Sequence, residues 1–315
     1  MAHTIYDNFF LSNEIEDQFK SHLDLQRFCT VDNSLVGEPG MLRKINVYQA
    51  TDATQKLGIG EGNTESIEVS FTPREYRIQL AQNRFKYYDE QAMTDPMLVP
   101  VGVRHMATDM FNTMNADIFA EFNKATRVVV TSTLNFNCFA DAQSMYRFSE
   151  NIEDKRTFAF VSPSDVATLR KNLKDDLKYV EAFARAGYIG TVAGTDIFAK
   201  QDAVPGTICT ADQKAVTLFN KKGTEIEQIG VDRRSETAAN VRENTIFARK
   251  YYIAALTDER EAVKIVKGTA SASVDTSVDS TKTYYAPSGN GYVAVVPAAG
   301  DNPASKGWYE ISSDF

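Results

Sequence analysis

Residues Val36 to Tyr88 read as a long two-stranded arm with a glycine-studded tip, and nothing within that stretch could bury it. The outgoing strand carries Ile45 and Val47 at period two. The tip runs Gly58-Ile59-Gly60-Glu61-Gly62-Asn63, with Lys56 just before it, and the return carries Ile67, Val69 and Phe71 alternating with Ser66, Glu68, Ser70 and Thr72. Past Pro73 the apolar phase shifts to Tyr76, Ile78 and Leu80, which predicts a bulge or bend at the proline because it cannot donate to a strand ladder. An isolated two-stranded ribbon is marginal in water, so one this long is expected to lie on another surface. Two surfaces are open to it: its own domain, or a neighbouring copy of the chain.

The chain has 315 residues, of which 43% are apolar, enough for two or three modest cores. A net charge of −8 and a pI near 5.1 argue against a surface that wraps nucleic acid tightly, since such contacts need clustered Lys and Arg. Cys29, Cys138 and Cys209 are too far apart for a CxxC or a zinc site, and their number is odd, so reduced buried thiols are expected. The first residues lack a basic and then apolar leader, and no run approaches the length of a membrane span. The expectation is a protein made inside a cell, with no membrane partner.

Residues 1–35 carry one amphipathic helix, with Asn13 and Glu16 at capping-box spacing, Ile15, Phe19 and Leu23 on one stripe, and Phe9 and Phe10 ahead of it; it reads as an arm that needs somewhere to dock. Val103, Met106, Ala107, Met110, Met114, Ile118 and Phe122 follow the helical period over several turns after Asp95-Pro96 and Pro100. Those methionines read as adaptable core filler. A helix is predicted over Phe136–Phe148, then a strand Arg156–Val161 running into Ser162-Pro-Ser-Asp165, a capping box that opens a helix with Val166, Leu169, Leu173 and Leu177 inward. Short strands broken by Gly190, Gly194, Pro205-Gly206 and Lys221-Lys222-Gly223 follow, then a strand over Thr245–Leu256. The class is α+β. From Gly268 a Ser/Thr/Ala-rich stretch with a tandem Ser273-Val-Asp-Thr and Ser277-Val-Asp-Ser reads as a linker or edge strand before a small β module around Tyr284, Tyr292 and Trp308.

No catalytic constellation stands out. The Gly58/Gly60/Gly62 cluster lies between strands, whereas a phosphate cradle needs a helix N-terminus after it; Gly187, Gly190 and Gly194 miss the dinucleotide spacing. His3, His22 and His105 are the only imidazoles, and His105 sits one turn from Asp109. There is no nucleophile elbow and no His-Glu-x-x-His, and Asp175/Asp176 and Asp258/Glu259 fall where solvated element ends are expected. The chain therefore reads as no enzyme, with no cofactor and no metal. Arg74, Arg77, Arg84 and Lys86 cluster on the return strand, either to meet acidic patches across an interface or as solvated edge charges.

Taken in order, these parts become specific: arm, hairpin, long helix, Phe158-Ala-Phe-Val-Ser-Pro-Ser-Asp165, Gly187-Tyr-Ile-Gly-Thr-Val-Ala-Gly-Thr-Asp-Ile197 and Ala248-Arg-Lys-Tyr-Tyr-Ile-Ala-Ala-Leu-Thr-Asp258. Over roughly residues 1–267 the chain resembles the major capsid proteins of tailed bacteriophages, of the Hong Kong 97-like fold. The resemblance implies an N-terminal arm (1–35), an extended loop (36–88), a peripheral domain with a spine helix (89–150), an axial domain (151–244), a return strand to the peripheral domain (245–267) and a small C-terminal β module (268–315) outside the shared pattern. It implies a non-enzymatic subunit that forms hexamers and pentamers of an icosahedral shell around double-stranded DNA, assembled in the host cytoplasm and ending in the virion. Assembly contacts would come from Lys56, Gly58, Gly60, Gly62, Ile67, Val69, Phe71, Arg74 and Arg77 on the loop and from Phe9, Phe10, Ile15 and Phe19 on the arm. The partners implied are other copies, a separate scaffolding protein, a portal and weak non-specific contact with packaged DNA. Some relatives cross-link a hairpin lysine to a neighbour's asparagine; Lys56 is the candidate donor, no partner residues are identifiable, and the cross-link is not expected here. The other readings are a tail or decoration component with a surface-binding C-terminal module, and a cytoplasmic α+β enzyme.

Overall fold

The computed structural model describes residues 24–50, 54–146, 157–174, 190–230 and 233–313. One long helix organises them. The strands β1 (Thr30–Asp32), β2 (Leu42–Ala50), β3 (Val69–Arg77) and β4 (Gln79–Tyr88) lead through a short helix α1 (Asp89–Thr94) into α2 (Leu98–Phe122), 25 residues long. The apolar period read from sequence is what α2 buries. Its first half, through Met106 with Val103 and Met110, packs on Phe85, Tyr87, Ile246 and Ala248, and its second half, through Met114, Ile118, Phe119 and Phe122, enters a core with Phe158, Phe160, Val216 and Leu218. Gly102 lets the helix approach β4 closely, since a Cβ there would stand 2.6 Å from the Phe85 ring.

Two sheets meet on α2. The first has the order β1-β10-β11-β4, where β10 is Val216–Ile229 and β11 Glu243–Leu256; β1 is parallel to β10 and the other pairs are antiparallel. The second contains β5 (Arg127–Thr131), β6 (Thr157–Val161), β7 (Thr191–Val192), β8 (Thr195–Ala199), β9 (Thr207–Asp212), β12 (Ala262–Ala272), β13 (Tyr284–Ser288), β14 (Gly291–Val295) and β15 (Tyr309–Ser313), in the order β15-β13-β14-β5-β12-β9-β6-β8-β7. β6 is buried at all five positions, because Phe158 and Phe160 face α2 while Ala159 and Val161 face α3 (Phe136–Met145) and α4 (Pro163–Asn172). The Ser162 cap forms as expected: its hydroxyl accepts from the Asp165 amide (3.2 Å) and donates to the Asp165 carboxylate (2.9 Å), which also accepts from the Gly206 amide (2.8 Å). Cys29, Cys138 and Cys209 are free and buried, and burial pushes their thiols up to about 11, 11 and 12.

Sheet membership crosses several boundaries read from sequence. β5, placed with residues 89–150, belongs to the nine-stranded sheet, on which α3 packs; β10, placed with 151–244, belongs beside α2; β12, split between 245–267 and 268–315, lies in the nine-stranded sheet. Periodicity marks strands but carries no address for their partners. The Lys221-Lys222-Gly223 break is also corrected. β10 runs through it as one strand with two register shifts against β11, the bulge that a glycine in a strand permits.

The C-terminal strands are not an appendage behind a linker. β12 is one strand of 11 residues whose first part pairs with β5 and β9 and whose last part pairs with β15. With β15–β13, β13–β14 and β14–β5 also paired, the strands β12, β15, β13, β14 and β5 close a ring. Gly268, where the sequence suggests a linker or an edge strand, lies inside β12 opposite Ser313, and a Cβ there would stand 2.0 Å from the Ser312 carbonyl oxygen. Inside the ring Tyr284 is fully buried beside Trp308, and its hydroxyl donates to Asp275 (2.8 Å), which also pairs with Lys282.

Candidate assembly interface

β2 and β3 form a two-stranded ribbon, hydrogen-bonded to no other strand among the described residues, with Leu42 opposite Arg77 and Ala50 opposite Val69. It is shorter than the arm read over 36–88, because the chain leaves it at Ile78 and β4 joins the body sheet against β11. Pro73 pairs in register with Asn46 and makes no bulge. In a pair of strands each has an outer edge, so a missing N–H can face outward at no cost to the ladder. The bend comes at Ile78, which is buried and whose amide donates to the Met41 carbonyl (2.8 Å).

The register separates the two faces. Directly opposed residues share a face, so Arg43, Ile45, Arg74 and Tyr76 lie on one and Leu42, Lys44, Val69, Phe71, Glu75 and Arg77 on the other. The face with Tyr76 is anchored to the body: Tyr76 stacks on Phe219 at 5.4 Å, Arg74 pairs with Glu259 at 2.9 Å, and Arg43 reaches Asp32 at 3.9 Å. The face with Phe71 points away from it. Val69 and Phe71 are 61% and 60% exposed, Ile67 just before them 61%, and Lys44 pairs with Glu75 across the strands. Ile45 therefore lies on the opposite face from the apolar set of the return strand, a separation that reading each strand alone does not reveal.

At the tip, Gly60 has φ +88°, the left-handed backbone that suits glycine; the Glu61 carboxylate accepts from the Gly58 amide (2.9 Å), and Gln55 and Thr64 bond across the turn. Lys56, Gly58, Gly60 and Gly62 are all exposed, and no helix follows them, in keeping with a hairpin tip. Of the four basic residues Arg74, Arg77, Arg84 and Lys86, Arg74 and Lys86 pair within the chain, the latter with Glu243 at 2.5 Å, and Arg74 helps to anchor the ribbon root. Phe9, Phe10, Ile15 and Phe19 lie outside the described residues, as do Gly187, Leu177 and Asp175/Asp176. Sequence reading missed Leu42, Tyr76 with Phe219, and Glu259; the i,i+2 phase of Arg74 and Tyr76 was the available signal for a body-facing side.

The base of β4 is fastened separately. Arg234 donates to both Asp89 oxygens (2.8 and 2.9 Å) and to Asn244 Oδ1 (2.7 Å), and the Asn244 amide donates to Asp89 (2.6 Å). The Asn244 hydrogen bond, then the Arg234 guanidinium, hold the Asp89 carboxyl below its ordinary value. A carboxyl depressed in the folded state contributes stability that is complete above the ordinary carboxylate range and is lost as pH falls through its own lower value. Asp89→Asn is thus expected to be less stable than the unaltered chain near neutral pH, with the two urea midpoints converging as pH drops below that range. A gap independent of pH would remove Asp89 from the acid response.

No group of three or more His, Cys, Asp or Glu side chains gathers as a metal site among the described residues, and no described helix is long and apolar enough to cross a membrane. No family model matches the chain. The chain is 25% identical over 269 residues to the major capsid protein of Staphylococcus phage phiMR11, covering 83% of this chain and 93% of that protein. The chain is thus similar to a phage major capsid protein. It is also similar in fold to solved shells: the capsid of cyanophage P-SCSP1u at 12% identity and TM-score 0.60 over 84% of this chain and 91% of that one, the native GTA particle capsid at 10% and 0.60 over 84% and 93%, and the capsid of Helicobacter pylori bacteriophage KHP30 at 10% and 0.58 over 84% and 92%. Those likenesses show a mixed α/β fold of the kind found in phage capsids.

Proposed function

We propose that this chain is the major head protein of a tailed phage and builds hexamers and pentamers of a closed icosahedral shell around double-stranded DNA, in the Hong Kong 97-like manner. The ribbon would be the extended loop lying over an adjacent copy, and α2 the spine helix beside the sheet formed by β10, β11 and β4. The observation that carries the reading is the outward ribbon face, where Ile67, Val69 and Phe71 expose large apolar area at the far end of a rooted projection. A lone ribbon gains little from that surface, whereas a neighbouring copy removes it from water. Its work would be assembly rather than catalysis, with a separate scaffolding protein and a portal as further partners and the acidic surface leaving only weak contact with DNA. The C-terminal ring shares β5 and β12 with the body, so the module would be an integral part of the subunit and not a detachable display domain.

Negative-stain microscopy of the purified protein, alone and with its scaffold, is the direct test. Capsomer rings or closed shells are expected; open tubes or fibres would favour a tail component, and a small defined oligomer would overturn the shell reading.

A further inference from the structure

Residues 24–38 run as a strap along β10. Leu25 is fully buried and its amide donates to Asn115 Oδ1 on α2 (3.2 Å), while the Phe28 ring packs on Phe158, Phe160 and Phe198 with centroids 4.8, 5.3 and 4.7 Å away. Leu25 and Cys29 belong to the same core as Ile118 of α2, Phe160 of β6 and Leu218 of β10, so this stretch fills the seam where the helix and both sheets meet. β1 then pairs parallel with β10, from Thr30 opposite Thr217 to Asp32 opposite Phe219, and lies at the edge of its sheet. A ladder of three residue pairs is a short hold for so much apolar surface.

Beyond Asp32 the fastening passes to side chains of β10. The Asn220 amide donates to Asn33 Oδ1 (3.2 Å), and the Lys221 ammonium donates to the Leu35 carbonyl (3.0 Å) and to the Glu38 carbonyl. Two turns present those carbonyls, closed by the Val36 amide on the Asn33 carbonyl (3.0 Å) and the Glu38 amide on the Leu35 carbonyl (3.3 Å). Lys221 can reach them because it is the extra residue of a bulge: Asn220 registers with Tyr252 and Lys222 with Tyr251, which leaves no residue of β11 opposite Lys221. A bulge re-aims the side chain it carries. Lys222, next along, pairs with Glu225 instead. Past Glu38 the chain is exposed and turns towards β2 through Gly40, whose φ is +102°.

We propose that Lys221 is the buckle of this strap: a positioning residue that holds residues 24–38 in the seam, and whose release lets them open locally while the rest of the fold stays intact. Segments with sparse backbone pairing and exposed flanks open at lower cost than packed cores, and here both charge-assisted bonds to the strap come from one side chain. Opening bares the phenylalanine rings that Phe28 covers and frees the seam between the two sheets.

Cys29 is a built-in reporter, since it lies in the strap whereas Cys138 on α3 and Cys209 on β9 belong to the body, and all three thiols are buried. The full chain, unassembled, is treated with N-ethylmaleimide at constant pH, and modification of each cysteine is followed by mass spectrometry. Lys221→Met is expected to raise the Cys29 rate about tenfold, the scale of one lost charge-assisted hydrogen bond, and to leave Cys138 and Cys209 unchanged. Lys221→Arg, which keeps cationic donors, and Lys222→Met are both expected to leave Cys29 near its original rate. An unaltered Cys29 rate in Lys221→Met would overturn the proposal, as would an equal rise at all three thiols or the same rise in Lys221→Arg or Lys222→Met. Should Lys221→Met not fold, the unaltered chain in low urea decides: Cys29 should react with a shallower urea dependence than the other two, because local opening exposes little surface. One common dependence would mean that the strap opens only when the whole fold does.

Discussion

Replacing Ile67 and Val69 together with aspartate is expected to abolish shell formation while leaving the subunit's own melting temperature unchanged. Both side chains lie on or just ahead of the outward ribbon face and are 61% exposed in the single chain, so their loss removes almost nothing from its core. Burying each against a neighbour would contribute about 1.5–3 kcal/mol, so the pair is worth roughly a hundredfold or more in the affinity of every such contact. A closed shell repeats the contact at each subunit, which makes assembly fall more steeply than any one contact does. The readouts are sedimentation and microscopy for assembly and calorimetry for the subunit. Normal shells from the double variant would remove the ribbon from the interface, and a large drop in melting temperature would mean that these residues stabilise the isolated fold instead.

The other large effect concerns Gly268. Any Cβ there meets the Ser312 carbonyl at 2.0 Å, and both partners are backbone in paired strands, so no side chain can swing aside to relieve the overlap. Gly268→Val is expected to separate β15 from β12 and to cost about 3 kcal/mol, near the upper end for overpacking a tight site. Limited proteolysis should then cut within residues 284–313, which in the unaltered chain are expected to resist because β14 and β15 are built into the ring. Equal resistance in both proteins would show that the ring tolerates an opened seam.

These two sites differ in how legible they were. The apolar alternation of Ile67, Val69 and Phe71 is a local pattern, and it survives in the fold because a strand's face is set by its own period of two. The same holds for α2, whose 3.6-residue period and methionines marked the buried stripe, and for Ser162-Pro-Ser-Asp165, where a cap needs only neighbours in sequence. Around Gly268 the small polar residues fit a linker or an edge strand equally, and composition does not show that this is a close-packed point between strands distant in sequence. Pairing across such distances left no trace in composition. Nor did the sequence say that β4 would leave the ribbon for the body, since its alternation is the same in either setting. The two ribbon faces emerged only once Asn46 was placed opposite Pro73, a register that each strand alone leaves undetermined.

The root of the ribbon has a mechanical consequence. From the Tyr76–Phe219 stack the paired strand runs seven residues to Val69, about 23 Å, so a tilt of about seven degrees at that pivot carries the far end nearly 3 Å, the length of a hydrogen bond. In the proposed shell, subunits of a five-membered and a six-membered ring would meet at different angles, and a tilt at that pivot would let one sequence fit both. Stiffness at that one joint would then set how much curvature a wall made of this chain can tolerate.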